Sequence, residues 1–173
     1  IQCETPTDTE NETTTTTDDT MPTYPTIGNI EVFDSSLYNL IDRDAKIEVL
    51  AEGFTWSEGP VWVSELNSVL FSDVPENKIW KWSEADGLQL FLEPSGLTSE
   101  LRENDKEPGS NGLILDQNGR LILCQHGDRR LARLTASFDD PKPEFETVAD
   151  TYNDKRFNSP NDATYSQAGE LFF

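Results

Sequence analysis

Three polar residues recur at one point of a repeated strand pattern. Glu58 stands in Ser57-Glu58-Gly59-Pro60-Val61-Trp62-Val63, Asn111 in Ser110-Asn111-Gly112-Leu113-Ile114-Leu115-Asp116, and Asn161 in Pro160-Asn161-Asp162-Ala163-Thr164-Tyr165-Ser166. They are 53 and 50 positions apart. A carboxylate and two amides can all present oxygen to a cation. That set suits a hard ion such as Ca²⁺ or Mg²⁺ and poorly suits zinc or copper. A lone Asn at a strand end is ordinarily turn chemistry; the shared repeat position is what singles out these three. His126 is the only histidine. It follows the apolar run Leu121 to Cys124, beside Gly127, where an imidazole can serve as proton shuttle or hydrogen-bond donor or simply bond to loop backbone. No Gly-x-Ser-x-Gly elbow accompanies it. A phosphate loop, a dinucleotide fingerprint and a zinc-spaced Cys/His cluster are also absent from the sequence.

The elements that would position these residues follow from the same repeat. Each copy reads polar lead residue, short strand, tight turn, strand, and the second strands open at Val69, Leu121 and Leu171, offsets of 11, 10 and 10 from the lead. Between copies lie further strand pairs: Lys78–Trp82 with Leu88–Leu92, and Arg130–Leu134 with Phe145–Val148. Two hairpins per repeat make four strands, and a period near 50 built of short strands points to propeller blades. The 173 residues then hold two blades and the first hairpin of a third. A propeller closes with about four to eight blades, and its inner strands line a central channel, so equivalent lead residues converge on one axis. The four Trp residues (Trp56, Trp62, Trp80 and Trp82) are expected to pack between blades. Residues 30–45 are expected to carry a short strand and one helical turn.

Composition sets the bounds. With 13 basic and 33 acidic residues the formal charge is −20. Such a charge repels nucleic-acid phosphates and anionic lipid, so neither is an expected partner. No apolar stretch approaches the ~20 residues of a transmembrane helix. Residues 1–29 hold eleven Thr, six acidic residues and no Lys or Arg, too little apolar surface to offset the entropy of ordering. The expected organisation is therefore a disordered tether over 1–29 and a β domain over 30–173. Cys3 in that tether is a candidate acylated first residue of a lipoprotein, which would place the protein in the cell envelope or periplasm. The alternative is a plain flexible tail on a cytoplasmic protein. Cys124, in an apolar strand, is expected to be a core residue that does not pair with Cys3. The chain opens on Ile1 and closes on the apolar run Leu171–Phe173, and both ends are expected to be cut.

Four motifs in order carry a family resemblance: Ala51 to Trp62 (Ala-Glu-Gly-Phe-Thr-Trp-Ser-Glu-Gly-Pro-Val-Trp), Ser110 to Leu113, Cys124-Gln125-His126-Gly127-Asp128-Arg129-Arg130, and Arg156-Phe157-Asn158-Ser159-Pro160-Asn161-Asp162. From about residue 31 onward the chain resembles the family of gluconolactonases, senescence marker protein (regucalcin) and luciferin-regenerating enzyme, and bacterial gluconolactonases in particular. The resemblance implies an all-β, six-bladed β-propeller in the parent, of which this chain holds about two and a half N-terminal blades. It implies a divalent cation in the channel, most often Ca²⁺, and metal-assisted hydrolysis of a small-molecule sugar lactone. Glu58 and Asn161 match metal ligands of the family. Asn111 matches a channel position of varying role, and His126 and Asp162 join it as substrate-binding or supporting residues. The expected catalytic base belongs to later blades, so the segment alone is expected to be inactive. The same scaffold also admits hydrolysis of other esters or phosphotriesters, or ligand binding without catalysis.

Overall fold

A computed structural model describes residues 23–100 and 106–173. The tether as far as residue 22, with Cys3, lies outside the described residues. The chain divides after Leu50 into two compact units. In the first, Thr26 bridges Glu48, framed by hydrogen bonds from Ile27 N to Ile47 O and from Val49 N to Pro25 O. A 3-10 turn spans Ser35–Asn39, with the Asp34 side chain accepting from Ser36 N at 2.7 Å. The short strand expected within 30–45 does not form. Residues 25–27 take the available pairing partner instead, and Phe33 stays 94% exposed. Among the described residues, no helix is long and apolar enough to cross a membrane.

The second unit is all-β. Strands β1 (Ser57–Val63), β2 (Ser68–Asp73), β3 (Lys78–Ser83) and β4 (Gly87–Leu92) form one antiparallel sheet in sequence order. Strands β5 (Ser110–Leu115), β6 (Leu121–Gln125), β7 (Arg130–Leu134) and β8 (Phe145–Ala149) form a second of the same plan. The turns carry residues that accept positive φ: Asn67 (46°) before β2, Gly87 (66°) at the start of β4 and Gly119 (76°) before β6. Asn and Gly tolerate that conformation where other residues do not. Strand β6 is buried at every position. It reads as the unbroken apolar run Leu121-Ile122-Leu123-Cys124, the pattern of a strand covered on both faces.

The two sheets share one core. Val63, Leu70, Ile79 and Leu92 of the first pack with Leu113, Leu121, Leu123 and Leu134 of the second. Full burial of each such side chain contributes roughly 1.5–3 kcal/mol. The seam between sheets is also polar. Ser72 Oγ lies 2.8 Å from Ser110 Oγ and donates to Asn111 O at 2.9 Å, so β2 is tied to the lead segment of the next repeat.

Past β8 the chain makes a small hairpin, β9 (Thr151–Tyr152) with β10 (Lys155–Arg156), through Asn153 and Asp154 at φ 50° and 61°. Two successive positive φ values mark the turn that matches strand twist. Strands β11 (Thr164–Tyr165) and β12 (Leu171–Phe172) then pair as the opening hairpin of a third repeat. The architecture is that of a propeller segment: two four-stranded blades and the start of another, with no closed ring among the described residues.

Candidate metal and substrate site

Close backbone contact sets the three lead residues on adjoining repeats, and two of them stand at irregularities of their strands. In β1 the register shifts between Glu58 and Val61, and in β5 between Ser110 and Leu113. Each shift places an extra residue beside one partner, and such bulges re-aim side chains. The residue after the lead is glycine in both strands. A Cβ on Gly59 (φ +56°) would stand 2.5 Å from Asn111 O and 2.8 Å from Gly112 Cα. A Cβ on Gly112 would stand 2.5 Å from Asp162 Oδ1 and 2.9 Å from Asp162 Cα. Gly112 N donates to Asn161 O at 2.8 Å. The backbone after each lead therefore touches the backbone of the next, which only a missing side chain permits. The repeats step from Glu58 to Asn111 to Asn161 without a gap.

The side chains present oxygen. Asn111 is only 6% exposed, and its Nδ2 donates to His126 Nδ1 at 3.0 Å. Its Oδ1 accepts no hydrogen bond from any described residue. Glu58 is half-buried, and one carboxylate oxygen accepts from the Trp56 indole at 3.2 Å, which leaves the other open. Asn161 is exposed, and its side chain makes no hydrogen bond with described residues. Asp162 Oδ1 accepts from Ala163 N at 2.8 Å. Burial, reinforced by the Asp162 charge, pushes the Cys124 thiol up to about 12. Among the described residues, no three His, Cys, Asp or Glu gather into a metal-binding group. The donor set this chain offers is one carboxylate with amide oxygens, and that fits a hard cation held jointly with ligands from elsewhere.

His126 stands directly after β6. Because Nδ1 accepts from Asn111, the neutral ring carries its hydrogen on Nε2. Nε2 lies 3.8 Å from Glu107 Oε2. Beside it opens a cleft of about 410 Å³, lined by Lys106, Glu107, His126, Arg129, Asn158 and Ser159 among others.

Residues 56–173 match the model of the SMP-30/gluconolactonase/LRE-like family. The chain belongs to that family. Over 149 residues it is 39% identical to the gluconolactonase of Zymomonas mobilis, an alignment covering 86% of this chain and 41% of that protein. The solved structure of a Xanthomonas campestris gluconolactonase, described as important in glucose secondary metabolic pathways, superposes with TM-score 0.63 at 25% identity, over 87% of this chain and 43% of the other. A structural-genomics structure presented as a gluconolactonase candidate gives TM-score 0.56 at 40% identity, over 70% of this chain and 37% of the other. The chain thus spans about two fifths of the length of these relatives.

Within this SMP-30/gluconolactonase/LRE-like segment, four residues of the site neighbourhood have contacts that sequence reasoning did not assign. Trp56, 48% exposed, holds Glu58 through its indole N–H. Glu107, Arg129 and Asn158 line the cleft. Arg129 carried no local signal, because its positive φ is one that Arg rarely adopts. The partners of Glu107 and Asn158 are set by contacts between repeats, which no local pattern records.

Proposed function

We propose that the full-length protein hydrolyses a sugar lactone such as gluconolactone, with this segment supplying one wall of a metal-dependent site. The observation that carries the reading is the contact of successive lead residues, which lines up the oxygen-bearing Glu58, Asn111 and Asn161 on adjoining repeats. Family membership and the named gluconolactonase relatives support it.

In this reading Glu58 and Asn161 hold a divalent cation, most suitably Ca²⁺. The ion, when bound, supplies Lewis-acid polarisation of the lactone carbonyl. The residues of this chain do the rest of what falls to this wall. The Trp56 indole fixes the Glu58 carboxylate by one oxygen. Asn111 sits at the channel with its amide oxygen free to accept from a sugar hydroxyl. His126, its hydrogen set on Nε2 by Asn111, donates a hydrogen bond to a substrate oxygen. Asp162 braces the segment that carries Asn161. Water adds to the carbonyl carbon, the ring C–O bond breaks, and the ring oxygen takes a proton to give the open hydroxy acid. The base that removes the proton from water is expected on a later blade.

The test is hydrolysis of gluconolactone by the full-length protein with calcium and with excess chelator. The expected result is loss on chelation, recovery with metal, and parallel loss of Ca²⁺ affinity and rate in Glu58→Gln. A Glu58→Gln protein that kept both would overturn the reading.

A further inference from the structure

Two non-glycine residues hold the left-handed conformation at the same point of successive blades. Asn77 (φ 57°) directly precedes β3, and Arg129 (φ 60°) directly precedes β7. Their turns close with the same bond, Asn77 N to Val74 O and Arg129 N to His126 O, both at 3.3 Å. Asn adopts this conformation readily, whereas Arg does so rarely. A residue unsuited to its backbone points to a task for its side chain.

The first blade shows what that position does. Asn77 Oδ1 accepts from the backbone N–H groups of Ser95, Gly96 and Leu97 at 3.1, 2.8 and 3.3 Å, and its Nδ2 donates to Leu97 O at 2.9 Å. It pins the segment by which the chain leaves blade one on its way to Asn111. In the second blade Arg129 reaches the matching segment of the next crossing. Its Nε donates to Asn158 O at 2.7 Å, and NH2 donates to Asn158 Oδ1 at 3.3 Å. Beside it, Arg156 NH2 donates to Asp128 O at 2.8 Å.

Asn158 lies three residues before Asn161. Glu58 and Asn111 stand within strands whose ladders hold them. Asn161 lies outside any strand, ahead of the two-residue β11; Gly112 N holds its carbonyl at 2.8 Å, and the segment leading to it takes a second strut, from a side chain. The guanidinium fork of Arg129 provides one through a two-point grip that a lysine cannot reproduce. The turn His126–Arg129 therefore touches Asn111 through its first residue and the approach to Asn161 through its last.

We propose that Arg129 is the positioning residue for Asn161: by gripping Asn158 it fixes the backbone of 158–161 and so sets where the Asn161 amide oxygen stands in the site. The inference rests on the reading of Asn161 as a ligand given under Proposed function.

Arg129→Gly separates side chain from backbone, because glycine takes a φ near +60° freely. In the full-length protein, Ca²⁺ affinity by calorimetric titration, kcat and KM for gluconolactone, and melting temperature are compared for wild type, Arg129→Gly, Arg129→Lys and Asn161→Ala. Arg129→Gly is expected to melt close to wild type yet bind Ca²⁺ about tenfold more weakly, the scale seen when a residue orienting a ligand is removed. Added guanidinium should restore part of that affinity in Arg129→Gly and none in Asn161→Ala. Arg129→Lys should behave as Arg129→Gly. If the glycine variant melts early, the guanidinium response of Arg129→Lys decides: recovery supports the grip, and its absence overturns it. Wild-type affinity and kcat/KM in Arg129→Gly, alongside loss in Asn161→Ala, would overturn the positioning role while leaving the site. Wild-type affinity in Asn161→Ala as well would overturn the site reading and this inference with it.

Discussion

Asn111 Nδ2 and His126 Nδ1 stand 3.0 Å apart, and this one hydrogen bond decides which ring nitrogen of His126 carries hydrogen. An amide nitrogen can only donate, so Nδ1 must accept and Nε2–H faces outward toward Glu107 and the cleft. The bond also spans the bulge of β5, since Asn111 lies within the register shift that ends at Leu113.

Replacing Asn111 by Asp should reverse that arrangement. A carboxylate can only accept, so the hydrogen moves to Nδ1 and Nε2 is left bare. His126 is the sole histidine of the 173 residues, and a ¹⁵N spectrum of its ring reads the tautomer directly: Nε2–H in the wild-type chain, Nδ1–H in Asn111→Asp. In the full-length protein, His126→Ala and Asn111→Asp should each lower kcat for gluconolactone by roughly 10²-fold, the scale of one lost hydrogen-bond donor to a reacting oxygen. His126→Ala should leave the melting temperature nearly unchanged, because the imidazole is half-exposed and such positions rarely shift stability by more than about 0.5 kcal/mol. An unchanged rate in both variants would remove His126 from the site.

Much of this arrangement was legible in the sequence. The lead residues, the hairpins and the unbroken apolar run of β6 are local patterns, and local patterns report strand position and burial. Asn111 and His126 were both singled out, yet their bond was not foreseeable. It joins residues on facing segments of one blade, and its existence depends on the bulge in β5. The Trp56 indole donates to the Glu58 carboxylate at 3.2 Å, a side-chain contact that a strand pattern does not report. The strand expected near Val32 failed for a different reason: pairing requires a partner, and the partner went to residues 25–27. The hairpin through Asn153 and Asp154 did carry a signal, since two residues tolerant of positive φ stand together there.

The glycines after the lead residues should be intolerant of any side chain, for a reason that differs from ordinary turn glycines. Gly119 at φ 76° has open space around its missing Cβ, whereas Gly59 combines φ +56° with backbone 2.5 Å away. Gly119→Ala should therefore lose only the left-handed penalty of roughly 1–2 kcal/mol. Gly59→Ala adds overpacking of roughly 1–3 kcal/mol, and Gly112→Ala has that overpacking against Asp162 Oδ1 and Cα. Chemical denaturation of the full-length variants checks the order. Gly59→Ala no less stable than Gly119→Ala would contradict the close approach of the two blades.

Cys124 should be chemically silent in the folded chain. It is 1% exposed in β6, and burial pushes its thiol up to about 12. The thiolate, not the thiol, reacts, and at neutral pH so high a value leaves almost none of it. In a Cys3→Ser background, a thiol reagent at pH 7.5 should modify Cys124 at a negligible rate until denaturant opens the sheet, then stoichiometrically. Rapid native labelling would mean that β6 opens to solvent far more often than a fully buried central strand should.

Acid should weaken the second blade through Asp116, at the end of β5. Its side chain is 5% exposed. Oδ1 accepts from Asn118 N and Arg120 N at 2.8 and 3.0 Å, Oδ2 accepts from Arg120 Nε at 2.9 Å, and Arg133 Nε lies 3.1 Å from Oδ2. Burial pushes the carboxyl upward, but the backbone bonds from Arg120 and Asn118 and the Arg120 guanidinium outweigh it and hold the group below its ordinary 3.8. A carboxyl lowered by folding contributes stability that is complete above its ordinary value and drains away as pH falls through the folded value. Asp116→Asn keeps an oxygen for the turn but loses the charge, so it should be less stable than wild type at pH 7 by about 1.5–3 kcal/mol, the scale of a charged hydrogen bond. As pH drops below the ordinary 3.8 the unfolded carboxyl takes up its proton first, so the gap between the two proteins should begin to narrow there and close as pH passes the lower folded value. Denaturation midpoints of both proteins from pH 7 to pH 3 give the comparison, in which all other carboxylates cancel. A gap that stayed constant over that range would show that the charge of Asp116 does not stabilise the blade.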